Sequence, residues 1–190
     1  MLLRATGALA LVAVCAVTGR AQSAWSSFVA APDSARLTGL IRHLDAEVRC
    51  SPLYRPPSDA EVLLMQAVAR GNAWALRAAL LVAPCLDGGL LGDFFKASGE
   101  FFERAPRQFV ELAASAGLAM SLRDAAIAST PESTVDDVPA QVQVLRRRIE
   151  ILDQLRDSTL LSARRLVQDR LTAREPRRPE VELALANGGW

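Results

Sequence analysis

The sequence predicts an all-α protein, built as an array of helical hairpins followed by a long C-terminal helix. Of its 190 residues, 51% are hydrophobic but only 5% are aromatic, so the core must consist mainly of Leu, Ala and Val. Leu and Ala favour helices, and runs of the β-branched and aromatic residues typical of strands are scarce. Apolar residues also recur at helical spacing in most segments between Pro and Gly. At this length the chain forms one domain with, at most, an appendage.

The N-terminus has the pattern of a secretory signal peptide over residues 1–21. Arg4 supplies a positive start, and residues 8–17 form an uninterrupted apolar run. Gly19 and Ala21 are small residues placed for cleavage after Ala21. The predicted location is therefore secreted or periplasmic. The alternative is an uncleaved membrane anchor, although the apolar run is shorter than the roughly 20 residues that span a bilayer.

The charge of the chain argues against general nucleic-acid binding. Residues 1–21 hold two arginines and no acidic residue, so the rest has 20 basic and 21 acidic residues and a formal net charge of −1. Binding to a phosphate backbone requires an excess of basic residues.

Two cysteines, Cys50 and Cys85, remain after the predicted cleavage, which removes Cys15. An even pair in an oxidising compartment predicts a disulfide. In the chain-entropy model, closing a loop of about 35 residues stabilises a fold by roughly 4 kcal/mol. Two buried free thiols are the alternative. We expect no zinc site, because the cysteines lack CxxC spacing and a nearby His.

A flexible leader is predicted over residues 22–33, followed by a helical domain over residues 34–128. Asp33 or Ser34 is placed to cap the first helix, whose apolar residues share one face. These are Leu37, Leu40, Ile41, Leu44 and Val48.

The rest of the helical domain reads as two hairpins of similar size. Ser58 and Glu61 have capping-box spacing, in which each side chain accepts a hydrogen bond from the other residue's amide. Asn72 is placed to cap the next helix, and Pro106 suits the first turn of another. The hairpins begin near Ser58 and Gly88, an offset of about 30 residues that is compatible with HEAT-like repeats.

Four of the six phenylalanines lie close together in the second hairpin: Phe94, Phe95, Phe101 and Phe102. The two pairs are two helical turns apart, so each forms a stripe along the helix. Ala97 and Ser98 lie between them and leave room for a neighbouring helix. We interpret the rings mainly as core, because buried aromatic residues usually are. The alternative is an apolar groove for a small ligand or lipid.

Composition changes near the C-terminus. Residues 129–139 are polar, acidic and bounded by proline, which predicts a linker. An apolar stripe then continues over residues 140–174 and predicts a long helix, bent or broken near Ser158. Its heptad pattern is too imperfect for a regular coiled coil. Residues 175–190 form a tail interrupted by proline.

We predict no catalytic, metal or cofactor site. His43 is the only histidine, and Glu47 follows four residues later, but a third ligand for a metal is not evident. No serine lies in a nucleophile-elbow motif, and no glycine-rich phosphate loop is present.

The most visible positive cluster is Arg146, Arg147 and Arg148. It could contact an anionic partner such as a lipid head group or an acidic protein face, which would include transient membrane contact. A solvated helix face is the simpler interpretation, since acidic residues follow within two turns.

These observations predict an exported, non-catalytic α-helical protein that acts through contacts with another protein and not with nucleic acid. The alternative function is a carrier for a small apolar ligand or lipid, using the phenylalanine-lined groove. A third hypothesis is an enzyme whose site is too dispersed to recognise in one sequence.

Overall fold

The computed structural model describes residues 23–52 and 54–174, and within these ranges the protein is all-α, as predicted. The α-helices of these ranges are α1 (23–30), α2 (Ser34–Leu44), α3 (Ser58–Ala69), α4 (Ala73–Val82), α5 (Gly88–Arg104), α6 (Pro106–Ser115), α7 (Met120–Ala128), α8 (Val138–Leu155) and α9 (Leu161–Arg174). Short 3-10 segments follow α4, α7 and α8. The predicted signal peptide, residues 1–21, and the tail, residues 175–190, lie outside the described residues.

Alternate helices pack in a row. Helix α5 contacts both α3 and α7, while α9 contacts α7 and α8. Helix α4 packs against α3 and α6. Buried side chains from all of these helices, and from α1 and α2, belong to one connected core. This order of contacts describes an array of helices but does not establish HEAT-like repeats, which stay a prediction.

The flexible leader predicted over residues 22–33 is wrong for residues 23–30, which form helix α1. Trp25 and Phe28 are both 0% exposed, and their rings meet edge to face with centroids 6.5 Å apart. Two aromatic residues three positions apart fall on one face of a helix, so α1 can bury both rings at once. Together with Val29, which is also buried, these rings hold α1 against the core.

Two predicted helix caps are present. The Asp33 side chain accepts a hydrogen bond from the Arg36 amide at 2.8 Å. The Asn72 side chain accepts from the amides of Trp74 and Ala75 at 3.0 and 2.9 Å. Both caps satisfy amides that have no partner inside their own helix.

The predicted capping box of Ser58 and Glu61 does not form. Helix α3 begins one residue after Pro57, which makes no side-chain cap hydrogen bond. Because α3 starts at Ser58 itself, Glu61 lies within the helical turn, and its side chain is directed toward α5 instead. The Glu61 carboxylate, which the sequence predicted to cap α3, therefore lines the space between α3 and α5.

The long helix predicted over residues 140–174 is two packed helices, α8 and α9. Arg156 ends α8 with a left-handed φ of 52°, next to the predicted break at Ser158. Arg164 Nε donates to Asp153 Oδ1 at 2.6 Å and links the two helices across the turn. Folding back lets α9 bury apolar side chains against α8 and α7, which a straight helix would leave in water.

The segment predicted as a linker, residues 129–139, is an ordered connection. It contains the 3-10 segment Glu132–Thr134, and α8 already begins inside it. The Gln141 side chain donates to the carbonyl oxygens of Thr134 and Val135 at 2.7 and 2.8 Å. These hydrogen bonds hold the connection against the start of α8.

The predicted disulfide between Cys50 and Cys85 is present, with the two Cα atoms 4.9 Å apart. It joins the connection between α2 and α3 to the 3-10 segment after α4. The connection from residue 45 to residue 57 contains no α-helix in its described residues, so a covalent link is well placed to restrain it.

Candidate interaction groove

The phenylalanines of α5 belong to the core and do not line an open groove. Phe94, Phe101 and Phe102 are 0% exposed, and Phe95 is partly buried against the same core. Phe102 also meets Phe109 of α6, with ring centroids 5.8 Å apart. The interpretation as core is thus confirmed for the three fully buried rings. The predicted groove lined by these rings is wrong, because Phe94, Phe101 and Phe102 are enclosed and none of the four rings lines the hollows described below.

The predicted anion-contact surface is wrong for Arg148. Arg146 and Arg147 are exposed, whereas Arg148 is 0% exposed. Its Nε donates to Glu103 Oε1 at 2.8 Å, and its Nη1 donates to the backbone oxygens of Ile127, at 2.6 Å, and Ser129. Consecutive helical residues point about 100° apart, so three arginines in a row cannot share one face.

The buried guanidinium of Arg148 stabilises the end of α7. The carbonyls at a helix C-terminus lack partners within the helix and carry the negative end of its dipole. Burial lowers the pKa of Arg148, and the charge of Glu103 opposes that effect. Arg170 adds a hydrogen bond to the Ala128 carbonyl at 2.8 Å. We name this cluster, Glu103, Ile127, Ser129, Arg148 and Arg170, the Arg148 cluster.

Gly99 of α5 makes the Arg148 cluster possible. A Cβ at this position would lie 2.7 Å from the Ala126 oxygen, 2.8 Å from Arg148 Nη2 and 2.8 Å from the Ser129 oxygen. Two of these neighbours are backbone atoms, which cannot move without displacing the end of α7. A glycine is therefore required where α5, α7 and the guanidinium meet.

His43 and Glu47 do not share a helical face. Helix α2 ends at Leu44, so Glu47 lies in the following turn, and Val48 is 78% exposed instead of packed. His43 Nε2 is buried and has no hydrogen-bond partner among the described residues. Within those residues, no three His, Cys, Asp or Glu side chains are grouped so that they could hold a metal ion.

A groove of about 330 Å³ lies between α3 and α5, and we call it the α3–α5 groove. Apolar side chains and carboxylates share its walls. Its lining residues are Glu61, Val62, Met65, Gln66, Ala69, Asp93, Lys96, Ala97, Glu100 and Glu132. Four carboxylates and one lysine give the lining a formal charge of −3. Helical spacing brings them together, because Asp93, Lys96 and Glu100 follow one another at intervals of three and four residues.

Glu61 is the most deeply buried acid of the groove, with only 8% of its surface exposed. No donor among the described residues hydrogen-bonds its carboxylate. Burial raises the pKa of Glu61, and the negative charge of Asp93 raises it further. Burial also raises the pKa of Glu100, against the opposing charge of Arg104.

The cations near the groove have other partners. Lys96 Nζ pairs with Glu132 and lies 3.5 Å from Asp93 Oδ1, and these acids raise the pKa of Lys96. Arg104 Nε donates to the Ala69 carbonyl at 2.9 Å, at the end of α3. Glu61 therefore receives no hydrogen bond from either of them.

Two other hollows in the described part of the chain have less distinctive linings. One of about 420 Å³ lies between the start of α6 and the end of α8, and Arg107 is its one charged lining residue. Another of about 320 Å³ surrounds the turn between α8 and α9, where Asp153 and Arg164 already pair. Neither has a deeply buried acid without a donor, which distinguishes the α3–α5 groove.

No protein-family model, curated protein or solved structure matches the chain. The described residues form a helical array with an acidic and apolar groove between two neighbouring helices. None of the helices in the described ranges has both the length and the apolar character needed to cross a bilayer.

Sequence reasoning missed the residues of the α3–α5 groove. It assigned Glu61 to a cap and did not single out Asp93, Lys96 or Glu100. One feature of the sequence could have indicated Glu61: it directly precedes an apolar run, Val62, Leu63, Leu64 and Met65. An acid next to such a run lies near the boundary of the buried face. The partner helix, however, could not be inferred from α3 alone.

Proposed function

We propose that this protein is an exported, non-catalytic helical protein that binds another protein through the α3–α5 groove. The observation that carries the proposal is Glu61, a residue only 8% exposed whose carboxylate opens into the groove and has no donor within the described chain. Partial removal of water from a carboxylate without a partner disfavours its charged form and so reduces stability at neutral pH. Binding sites often contain groups that reduce the stability of the free protein, because those groups are needed for function. An unpartnered acid in a groove is consistent with such a site.

The walls of the groove suit a protein partner. Val62 of α3 is 57% exposed, and Met65 and Ala97 lie deeper, so apolar contact surface is present beside the charges. Specific protein interfaces combine an apolar centre with a polar rim in this way. The carboxylates would repel the phosphates of nucleic acid, in agreement with the expectation from net charge.

The carrier hypothesis has lost its main support. It depended on an open groove lined by phenylalanines, and Phe94, Phe101 and Phe102 are fully enclosed in the core. The α3–α5 groove is too acidic to attract an anionic lipid. Membrane contact through the arginine run is also less favoured, because Arg148 is buried and takes no part in that surface.

Export is supported by the disulfide and by the sequence of residues 1–21. A disulfide persists in oxidising compartments and is rare in the cytosol. The Cys50–Cys85 link therefore agrees with a secreted or periplasmic location. N-terminal sequencing of the mature protein tests this directly, with Gln22 as the expected first residue.

Native mass spectrometry of the protein purified from its own cells tests the proposed interaction. We expect a stoichiometric second polypeptide with the natural sequence, and its loss in Val62→Arg, which places a large side chain at the mouth of the groove. The matched control is Met120→Arg, since Met120 and Val62 are each 57% exposed and Met120 lies on α7 outside the groove. A complex that survives Val62→Arg, or that both variants lose equally, would contradict the proposal.

A further inference from the structure

The Glu61 carboxylate has neither a cation nor a hydrogen-bond donor among the described residues, and it opens into the α3–α5 groove. Partial burial raises the pKa of Glu61, so a cation at the carboxylate would favour its charged form. Lys96 is held by Glu132 and Asp93, and Arg104 is held by the end of α3. A cation that binds at Glu61 would therefore come from outside these helices.

The surroundings of Glu61 specify more than a positive charge. Val62, Met65 and Ala97 form an apolar wall beside the carboxylate, and Asp93 supplies a second negative charge close by. A small hydrated ion would make no use of the apolar wall. A cation on a long aliphatic stem would contact the wall with its methylene groups and the carboxylates with its charged end.

Arginine fits this combination better than lysine. Its planar guanidinium carries several N–H donors in a rigid fork, so it can serve two carboxylates at once. It is also more weakly hydrated than an ammonium group and is less costly to bury. Arginine is correspondingly enriched among the residues that contribute most to protein interfaces.

We infer that the α3–α5 groove binds one arginine side chain of the partner protein, with its guanidinium at Glu61 and Asp93 and its stem against Val62, Met65 and Ala97. This inference rests on the proposed function, because it names the chemistry that the partner presents to the same groove. Asp93 is 54% exposed in its side chain and marks the entrance, whereas Glu61 is the deep acceptor.

The butylguanidinium ion, a mimic of the arginine side chain, tests the inference in the purified full-length mature protein. Chemical shifts of the backbone amides are followed during titration. We expect saturable changes centred on Glu61, Met65, Asp93 and Ala97. Butylurea has a similar shape but no charge, and we expect no saturable change with it. Unsaturable changes, changes elsewhere, or equal binding of butylurea would overturn the inference.

Two substitutions sharpen the test. Glu61→Gln keeps the size of the side chain but removes its charge, and we expect it to weaken butylguanidinium binding about tenfold, the effect of losing one hydrogen bond between charged groups. The matched control Glu111→Gln removes an exposed charge from α6, outside the groove, and should leave the affinity unchanged. Equal affinities of the two variants would overturn the role of Glu61.

The double variant Arg177→Gln/Arg178→Gln identifies a competing occupant, since the tail of this chain carries that basic pair. Unchanged butylguanidinium binding supports the assignment to a partner. Tighter binding would show that the chain's own tail fills the groove and would overturn that assignment.

The inference and the proposed function fail in different ways. If Val62→Arg loses the native complex but butylguanidinium does not bind, the partner still docks in the α3–α5 groove. Only the inference that the groove binds an arginine side chain is then overturned. A native complex that survives Val62→Arg would overturn the proposed function and, with it, the assignment of the groove's arginine to a partner, even if butylguanidinium binds.

Discussion

A charged residue with little exposed surface packs on each of two flanks of helix α5, and the two residues differ in their hydrogen bonding. On the α7 flank, Arg148 is 0% exposed and hydrogen-bonds Glu103 and two backbone carbonyls. On the α3 flank, Glu61 is 8% exposed and has no donor among the described residues. The first charge is enclosed, with partners at Nε and Nη1 and none for Nη2 among the described residues, whereas the second lies in an open groove.

The difference separates a charge that stabilises the fold from one that is available for binding. Arg148 satisfies carbonyls at the end of α7 that would otherwise be buried without partners. Glu61 satisfies nothing within the described chain and is placed beside another acid, Asp93. Removing each charge should therefore change stability in opposite directions, and four predictions test this contrast.

The largest effect is expected for Arg148→Ala. The substitution leaves Glu103 and the carbonyls of Ile127 and Ser129 without their donor, and breaking a buried pair typically costs about 3–5 kcal/mol. For a protein of this size the melting temperature should fall by about 10 °C.

The matched control is Arg147→Ala, which removes the adjacent but exposed arginine and should change stability by no more than about 0.5 kcal/mol. Thermal unfolding of the two variants side by side gives the answer. Similar melting temperatures would mean that the Arg148 cluster does not stabilise the fold.

Gly99→Ala should be the next most damaging change. Its added methyl group would contact two backbone oxygens and the guanidinium at 2.7–2.8 Å, so α7 must move away. Overpacking of this kind costs about 1–3 kcal/mol, which thermal or urea unfolding can measure.

Helix α5 contains its own control for that substitution. No heavy atom lies within 4 Å of a Cβ built at Gly92, so Gly92→Ala should stabilise the helix by up to about 1 kcal/mol. Destabilisation by both alanines would show that backbone flexibility, and not the approach of α7, accounts for the effect at Gly99.

Glu61→Gln should stabilise the protein, in contrast to the changes at the Arg148 cluster. The pKa of Glu61 is raised in the folded state, so the folded protein binds its proton more tightly than the unfolded chain does. Stability from this group is therefore greatest in acid and is lost as pH rises through the raised pKa. Glutamine does not ionise, so the variant does not lose stability as pH rises through this range.

At about pH 7 we expect Glu61→Gln to raise the melting temperature by about 2 °C. The gain should vanish near pH 4, where Glu61 of the natural protein is itself protonated. Melting curves over this pH range provide the measurement. A variant less stable than the natural protein at neutral pH would indicate that Glu61 has a stabilising partner.

The smallest effect is expected for Lys96→Gln. Lys96 partly neutralises Asp93 and Glu132 at the edge of the groove. Because exposed ion pairs contribute less than about 1 kcal/mol, its loss should tighten butylguanidinium binding by only about threefold. Weaker binding, measured by the same titration, would show that Lys96 helps to form the site.

Residue pattern alone determined much of this protein. The all-α class, the positions of most helices, the caps at Asp33 and Asn72, and the Cys50–Cys85 disulfide could all be predicted. So could the enclosure of Phe94, Phe101 and Phe102. These features depend on composition, on helical periodicity and on contacts with near neighbours in the sequence, which one chain displays directly.

Tertiary structure decided the rest, because it depends on which helices meet. The sequence does not show that Trp25 and Phe28 find a place in the core, or that residues 140–174 fold back as a pair. The two buried charges show the limit most clearly. Arg148 could not be told from its exposed neighbours, and Glu61 resembled a cap, since the environment of each is supplied by α5 and α7, tens of residues away in sequence. Burial, and with it the energetic role of a charge, is a property of that packing and not of the local pattern.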